Sequence, residues 1–506
     1  MNYLELLQLA APEAIVVVAA LLVLTMGLFA GRKAAGVSVS ATSQQSSGAG
    51  LPGAPTAGAG ALLAALGLAI AAAAVVRLPI HSDLFHGMLV ISPLNSLFKI
   101  IVLALAFFTI ILARSERAFF NKAEYFAIIL LATVGLMLLV ESEELLMIFI
   151  GLELTGLSLY ILTGFEKARR TSAEAALKYF LFGSMASAFT LFGLSLIYGI
   201  AGTTSLAAIA ARLASITIEP LLLAGIVMTL IGFAFKIAAA PFHLWAPDAY
   251  QGAPVSSAAF IASGSKVASF VVLGKILLTA FAGLHGDAGW HAMAAGWTPI
   301  IAVLSALSIL IGNLAALAQK NVRRLLAYSA VAHAGYTLLG LIGGGRSGFS
   351  ATLFYTTLYA VTLLGAFGVV LLVRRETGGD DLANFRGLSA RAPLLAGSMA
   401  VFLLSLAGLP PLAGFFGKFY LFSAAVNAGT RHDLLWLVVL ALFGSLISLY
   451  YYLIVLKATF VDRADASGVT FHADFLSRLT IAFLAAAVLF FGIVPGSLLD
   501  RILLSF

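Results

Sequence analysis

Residues 220–252 read PLLLAGIVMTLIGFAFKIAAAPFHLWAPDAYQG. The run is apolar enough to lie in a bilayer, yet as one helix it would be about 50 Å long, well beyond the ~30 Å of a hydrocarbon core. Pro241 stands inside it. A proline offers no backbone donor and clashes with the carbonyl four residues back, here that of Ile237. The segment therefore reads as a membrane helix broken just past a lysine, Lys236. Unpaired backbone is tolerated at that depth only where protein or water meets it, so the break predicts hydration beside Lys236.

A second segment of this kind covers residues 392–428, where Pro410–Pro411 precede Lys418 by two turns. Both segments carry the pattern G-F-x-x-K, as Gly232-Phe233-Ala234-Phe235-Lys236 and Gly414-Phe415-Phe416-Gly417-Lys418. Further apolar segments lie near 12–31, 59–78, 93–113, 123–141, 144–164, 173–200, 255–283, 296–318, 323–344, 348–373, 432–460 and 476–504. The total is about fourteen spans, with both termini on one side. The broken segments are spans seven and twelve, so they run in opposite directions. Inverted repeats built on discontinuous helices are a transporter signature.

Composition agrees with this reading. The chain is 61% hydrophobic and 10% charged, against about 25% charged in a soluble domain. Its net charge of +7 comes from short loops between spans, which suits membrane topology rather than nucleic-acid binding. The absence of cysteine excludes thiolate-held iron–sulfur centres and disulfides. The N-terminal stretch carries Glu5 and Glu13 and no basic residue, so the first span reads as a retained helix, not a signal peptide. Basic residues crowd alternate loops, among them Arg114, Lys122, Arg169, Arg323 and Arg374. The opposite loops hold only Arg77, Arg212, Arg346, Arg431 and Arg501. The positive-inside rule places the first set at the cytoplasm and both termini outside. Residues 32–58, rich in Gly, Ala and Ser, read as a flexible linker. The mixed-charge loop 374–391 reads either as a short interfacial helix or as a solvated loop.

Six lysines fall inside spans: Lys99, Lys178, Lys236, Lys266, Lys275 and Lys418. A charge at the centre of a bilayer helix costs about 2.5–3.5 kcal/mol on insertion scales, so several such residues point to function. Glu153 is the one carboxylate near the middle of a span. Burial disfavours the charged form of either group alone, and pairing restores it. At about 4 Å and an effective dielectric of about 20, the pair interacts by about 4 kcal/mol. Lys236, beside its helix break, is the expected partner of Glu153, and opening or closing the pair would switch its proton.

Lys266 lies mid-span in Ser263-Gly264-Ser265-Lys266. Lys275, nine residues on, falls on the opposite face. Lys275 and Lys99 stand near outer span ends and are expected to be peripheral. Lys178 follows Glu174 at i, i+4, which suits either an entry group or a surface pair. His243 and His333 fit relay or packing roles, since imidazole titrates near neutral pH. Glu141, Glu143 and Glu144 are expected in a solvated outer hairpin. No zinc-ligand spacing, phosphate-binding loop or dinucleotide fingerprint occurs.

Three runs carry a resemblance: Phe235 to Pro254 (FKIAAAPFHLWAPDAYQGAP), Asn321 to Ser329 (NVRRLLAYS) and Gly408 to Lys418 (GLPPLAGFFGK). They resemble the antiporter-like subunits of respiratory complex I, the NADH:quinone oxidoreductase. The likeness covers nearly the whole chain from about residue 90. Within that family the chain is most similar to the subunit N group, through Tyr250-Gln251-Gly252-Ala253-Pro254 and Ser265-Lys266. The sister subunits L and M, and the Mrp antiporters, usually carry an Ile-His-Ala run in this helix, absent here. Subunit L adds a long lateral helix that this chain is too short to hold, and subunit M usually has glutamate where Lys418 stands.

The resemblance implies a proton-translocating module. In it Glu153, Lys236, Lys266 and Lys418 carry the path, with Lys178 and His243 assisting and His333 a further accessory candidate. It implies no cofactor in this chain. NADH, FMN, iron–sulfur clusters and quinone belong to partner subunits, among them the other membrane-arm subunits. The expected fold is an all-α polytopic membrane protein with two inverted five-helix repeats. Helices 1–3 would occupy residues 1–121, the repeats 122–285 and 286–462, and the last helix 463–506. The expected setting is a bacterial inner membrane. Two alternatives are a cation/proton antiporter subunit of Mrp type and a subunit whose charges only hold helices together.

Overall fold

A computed structural model describes residues 7–38, 54–84, 87–116, 121–214, 216, 218–290, 293–428, 433–463 and 474–506. Twelve helices in it are long and apolar enough to cross a membrane. Three shorter ones, Pro220–Lys236, Pro393–Ala407 and Ala413–Val426, complete spans seven and twelve, so the fourteen expected crossings are present. They begin with Ala11–Ser38, Ala54–Val76, Pro93–Ala113, Lys122–Glu141, Leu145–Thr163 and Arg170–Ala201. Residues 32–38 and 54–58 of the expected linker continue the flanking helices, and 39–53 lie outside the described residues. Span fourteen helix Phe475–Ile493 stops before Pro495, and a short helix, Gly496–Leu504, follows.

Helix ends follow local chemistry. Ser92 accepts a hydrogen bond from Asn95 N ahead of Pro93, and Asn321 accepts one from Arg324 N at the start of span ten (Val322–Gly343). Glu144 accepts one from Met147 N at 2.7 Å and so caps span five. Spans eight (Val255–Ala280), ten and eleven (Gly345–Thr377) are almost wholly buried and form the centre of the bundle. Span nine (Trp297–Leu317), span thirteen (Leu435–Phe460) and spans one, two, six and fourteen surround them with apolar faces half open to lipid or neighbours.

The breaks occur where the prolines predict. The first half of span seven ends at Lys236, Ala238 takes φ 58°, and helix resumes over Trp245–Gly252. Protein side chains meet part of the freed backbone. Ser308 Oγ accepts from Ala240 N at 2.8 Å, and Trp245 Nε1 donates to Phe235 O at 3.0 Å. In span twelve the first half ends at Gly408, with φ 86°, where an added Cβ would lie 2.9 Å from Lys418 Cδ. Gly408 thus serves two needs, a left-handed turn and room for the lysine. The broken crossings stand fourth in the two five-crossing units, spans 4–8 and 9–13.

The 374–391 loop is not simply solvated. Asp380 is buried and accepts from Asn321 Nδ2 at 2.6 Å and Arg374 Nη1 at 2.8 Å, and it pairs with buried Arg323. Arg323 also donates to Ala253 O at 2.8 Å, which ties the start of span ten to the hinge before span eight. Short helical turns, Leu382–Phe385 and Leu388–Arg391, complete the loop.

Candidate functional site

The six lysines divide by their partners. Lys99, expected to be peripheral, is 1% exposed and sits 2.7 Å from Glu13 Oε1 and 2.6 Å from Glu141 Oε2. Lys275 is also buried, donates to Val140 O at 2.8 Å and lies 3.5 Å from Glu143. Glu141 and Glu144, expected in a solvated hairpin, are therefore buried. One neutralises Lys99 and the other caps a helix, so solvent is replaced by fixed partners. Lys178 pairs with Glu174 at 2.6 Å and with Asp248 at 2.8 Å, and Asp248 also binds Arg324 at 2.6 Å.

Lys236, Lys266 and Lys418 have no carboxylate within 4.0 Å among the described residues. Lys236 donates to Leu152 O at 3.3 Å. Lys266 donates to Ala330 O at 2.5 Å and stands 5.2 Å from the centroid of the Tyr359 ring. Lys418 donates to Ala407 O at 3.0 Å and Ser445 Oγ at 2.8 Å, with its ammonium 5.1 Å from the Tyr336 ring. Ala407 O belongs to the severed end of span twelve, where a helix presents unpaired carbonyls and partial negative charge.

Glu153 and Lys236 line one small cavity with Ser187, Thr190 and Tyr160. Its volume of about 20 Å³ exceeds the roughly 10–15 Å³ that one water requires. The two groups are not in direct contact. Glu153 accepts from Ser187 Oγ instead, so the expected closed ion pair is replaced by two separately held groups.

The sequence singles out His333 but not the tyrosines that surround it between Lys266 and Lys418. His333 shares hydrogen bonds with Tyr355 OH at 2.5 Å and Tyr452 OH at 3.1 Å. Its ring centroid is 5.0 Å from that of Tyr359 and 5.5 Å from that of Tyr336. Tyr359 touches Lys266 and Tyr336 touches Lys418, so one buried aromatic group spans the two lysines. The signal was the tyrosines' position on the core faces of spans ten and eleven, Tyr336 at i+3 from His333 and Tyr355–Tyr359 at i, i+4. His243 is buried by the span-seven break.

Span eight is π-helical over Ile261–Ser265, immediately before Lys266, and again over Ile276–Ala280. Such turns insert an extra residue and recur at functional sites. Lys266 faces span ten while Lys275 faces span four, in keeping with their expected opposite directions.

Close glycine contacts hold the first cavity. A Cβ on Gly232 would lie 1.6 Å from Thr190 Oγ1, and one on Gly183 2.0 Å from Tyr160 OH. Gly232→Ala is expected to lower thermal stability by about 1–3 kcal/mol, the usual cost of overpacking. Thermal unfolding in detergent measures this, and Thr190→Ala in the same chain should recover part of the loss. An unchanged midpoint for Gly232→Ala alone would contradict the contact.

No group of three or more histidines, carboxylates or cysteines placed to hold a metal ion occurs among the described residues.

Comparison with known proteins gives three kinds of likeness. Residues 142–448 match the family model described as NADH:quinone oxidoreductase/Mrp antiporter, TM. A curated relative from Acidobacterium capsulatum, named NADH-quinone oxidoreductase subunit N 2, is 47% identical over 449 residues, covering 87% of this chain and 90% of that one. A chain of respiratory complex I from Thermus thermophilus, solved with bound aureothin, superposes with TM-score 0.76 and 31% identity over 97% of this chain and 98% of that one. A chain of the Mrp complex from Dietzia superposes with TM-score 0.79 at 20% identity, covering 98% and 97%, a likeness of fold alone.

Proposed function

The chain belongs to the NADH:quinone oxidoreductase/Mrp antiporter family, in its subunit N group, and from that premise we propose the route by which it carries protons. It is a membrane-arm subunit of a proton-pumping NADH:quinone oxidoreductase, beside other membrane-arm subunits. Protons enter at the basic, cytoplasmic end and pass Glu153, Lys236, Lys266 and Lys418 to the outer side. The Glu174–Lys178–Asp248–Arg324 network stands at the entrance, and His243 serves the span-seven break. The His333 aromatic group joins Lys266 to Lys418. Redox chemistry in partner subunits, which hold NADH, FMN, iron–sulfur clusters and quinone, drives the transfer. The path falls in two repeats, 122–285 and 286–462, flanked by 1–121 and 463–506. The membrane is the bacterial inner membrane, with both termini outside.

The observation that carries this reading is the division of the lysines. Three are fixed by carboxylates. The other three, each on a broken or π-helical crossing, are held by carbonyl and hydroxyl oxygens. Such acceptors bind an ammonium and a neutral amine alike, so these lysines have somewhere to stand in both protonation states.

Glu153→Gln tests the route at its first group. With assembly at the wild-type level, NADH-driven acidification of inverted vesicles per NADH oxidised should fall about fivefold, or ~1 kcal/mol of barrier. Full pumping in that variant would remove Glu153 from the path.

A further inference from the structure

A groove of about 1050 Å³ opens at the basic end of the bundle, between spans four, five and six. That is just above the roughly 300–1,000 Å³ typical of small-ligand sites. Ile128, Ile161, Leu177 and Phe180 form its wall, with Ile161 54% and Leu177 57% exposed. Four charged residues stand at its rim: Glu124, Glu166, Lys167 and Arg169. Glu166 and Arg169 pair with each other. Lys167 and Glu124 make no ion pair within 4.0 Å among the described residues, leaving one positive and one negative group over an apolar trough. At the deep end stands Tyr160, which also lines the cavity of Glu153 and Lys236.

We propose that this groove seats a zwitterionic aminophospholipid. Its phosphate meets Lys167, its primary ammonium meets Glu124, and its acyl chains lie along the apolar wall toward Tyr160. The rim's equal charges select the headgroup. An anionic headgroup would satisfy Lys167 while opposing Glu124, and a choline group has no N–H to donate to the carboxylate. The apolar wall, at membrane depth, suits acyl chains. A chain seated against Tyr160 would close the groove side of the Glu153–Lys236 cavity, a consequence that rests on the proton route proposed above.

The test uses the assembled complex in native membranes, with Leu177 replaced by photoreactive p-benzoylphenylalanine. After irradiation, mass spectrometry of this chain should show a phosphatidylethanolamine adduct. Lys167→Gln or Glu124→Gln should each lower its yield about fivefold, as expected for one charge contact at a lipid surface. A phosphatidylglycerol or cardiolipin adduct would overturn the headgroup assignment. A crosslink to another subunit, or no adduct, would overturn the site. The crosslink reports occupancy and not pumping, so it stands or falls apart from the proton route.

Discussion

Lys266→Ala, in complex assembled to the wild-type level, is expected to lower NADH-driven proton transport at least about tenfold, or ~1.4 kcal/mol of barrier. Lys266 is 2% exposed, on the most buried part of the bundle, and Ala330 O is its hydrogen-bond acceptor. Among the described residues no carboxylate lies within 4.0 Å to take over its proton. A more telling variant is Lys266→Arg. Arginine keeps the charge and donors but does not give up its proton. Transport should therefore be lost in Lys266→Arg too, while subunit content and electron input from NADH stay normal. Wild-type transport with arginine would reduce Lys266 to a fixed charge and break the path at its centre.

Asp380→Ala is expected to destabilise the subunit by about 3–5 kcal/mol, the usual result of leaving one member of a buried ion pair alone. Arg323 is 1% exposed and would lose the carboxylate that neutralises it. Arg374 would lose the same partner. The expected readouts are low subunit content in the membrane and a lower unfolding midpoint in detergent. Burial disfavours the Asp380 carboxylate, but Arg323 and then Arg374 outweigh burial and hold its pKa below the ordinary carboxylate value. A pKa depressed on folding gives stability that is present above the unfolded value of about 3.9 and lost as pH falls below it. The wild-type subunit should therefore lose stability below about pH 4 more steeply than Asp380→Ala. Matching acid profiles for the two would contradict the pair.

The course of the chain was legible because its physics is local. Pro241 and Pro410–Pro411 interrupt apolar runs too long for one crossing, and the helices break there. Hydropathy set the count. What was not legible depended on contacts between distant segments. Lys99 looked peripheral because span position says nothing of Glu13 and Glu141, which reach it from two other helices. Asp380 looked like loop charge because its arginines come from two different spans. Glu153 and Lys236 were expected to touch, and they share a cavity. Ser187, too ordinary a residue to single out, takes the carboxylate instead. The aromatic group around His333 is not legible because a tyrosine inside an apolar helix reads as packing until its neighbours are known. The π-helical turn before Lys266 leaves no mark in a single sequence.

The three lysines without carboxylates share one further property. Each donates to a main-chain oxygen: Leu152 O, Ala330 O and Ala407 O in turn. A main-chain oxygen survives almost any substitution at its own position. Leucine or alanine can drift there without removing the acceptor, whereas each lysine has no such freedom. Among descendants of this chain, residues that fit the packing should therefore interchange at 152, 330 and 407, while 236, 266 and 418 stay lysine. The burden of heredity falls on the lysines, while these main-chain acceptors come with the backbone.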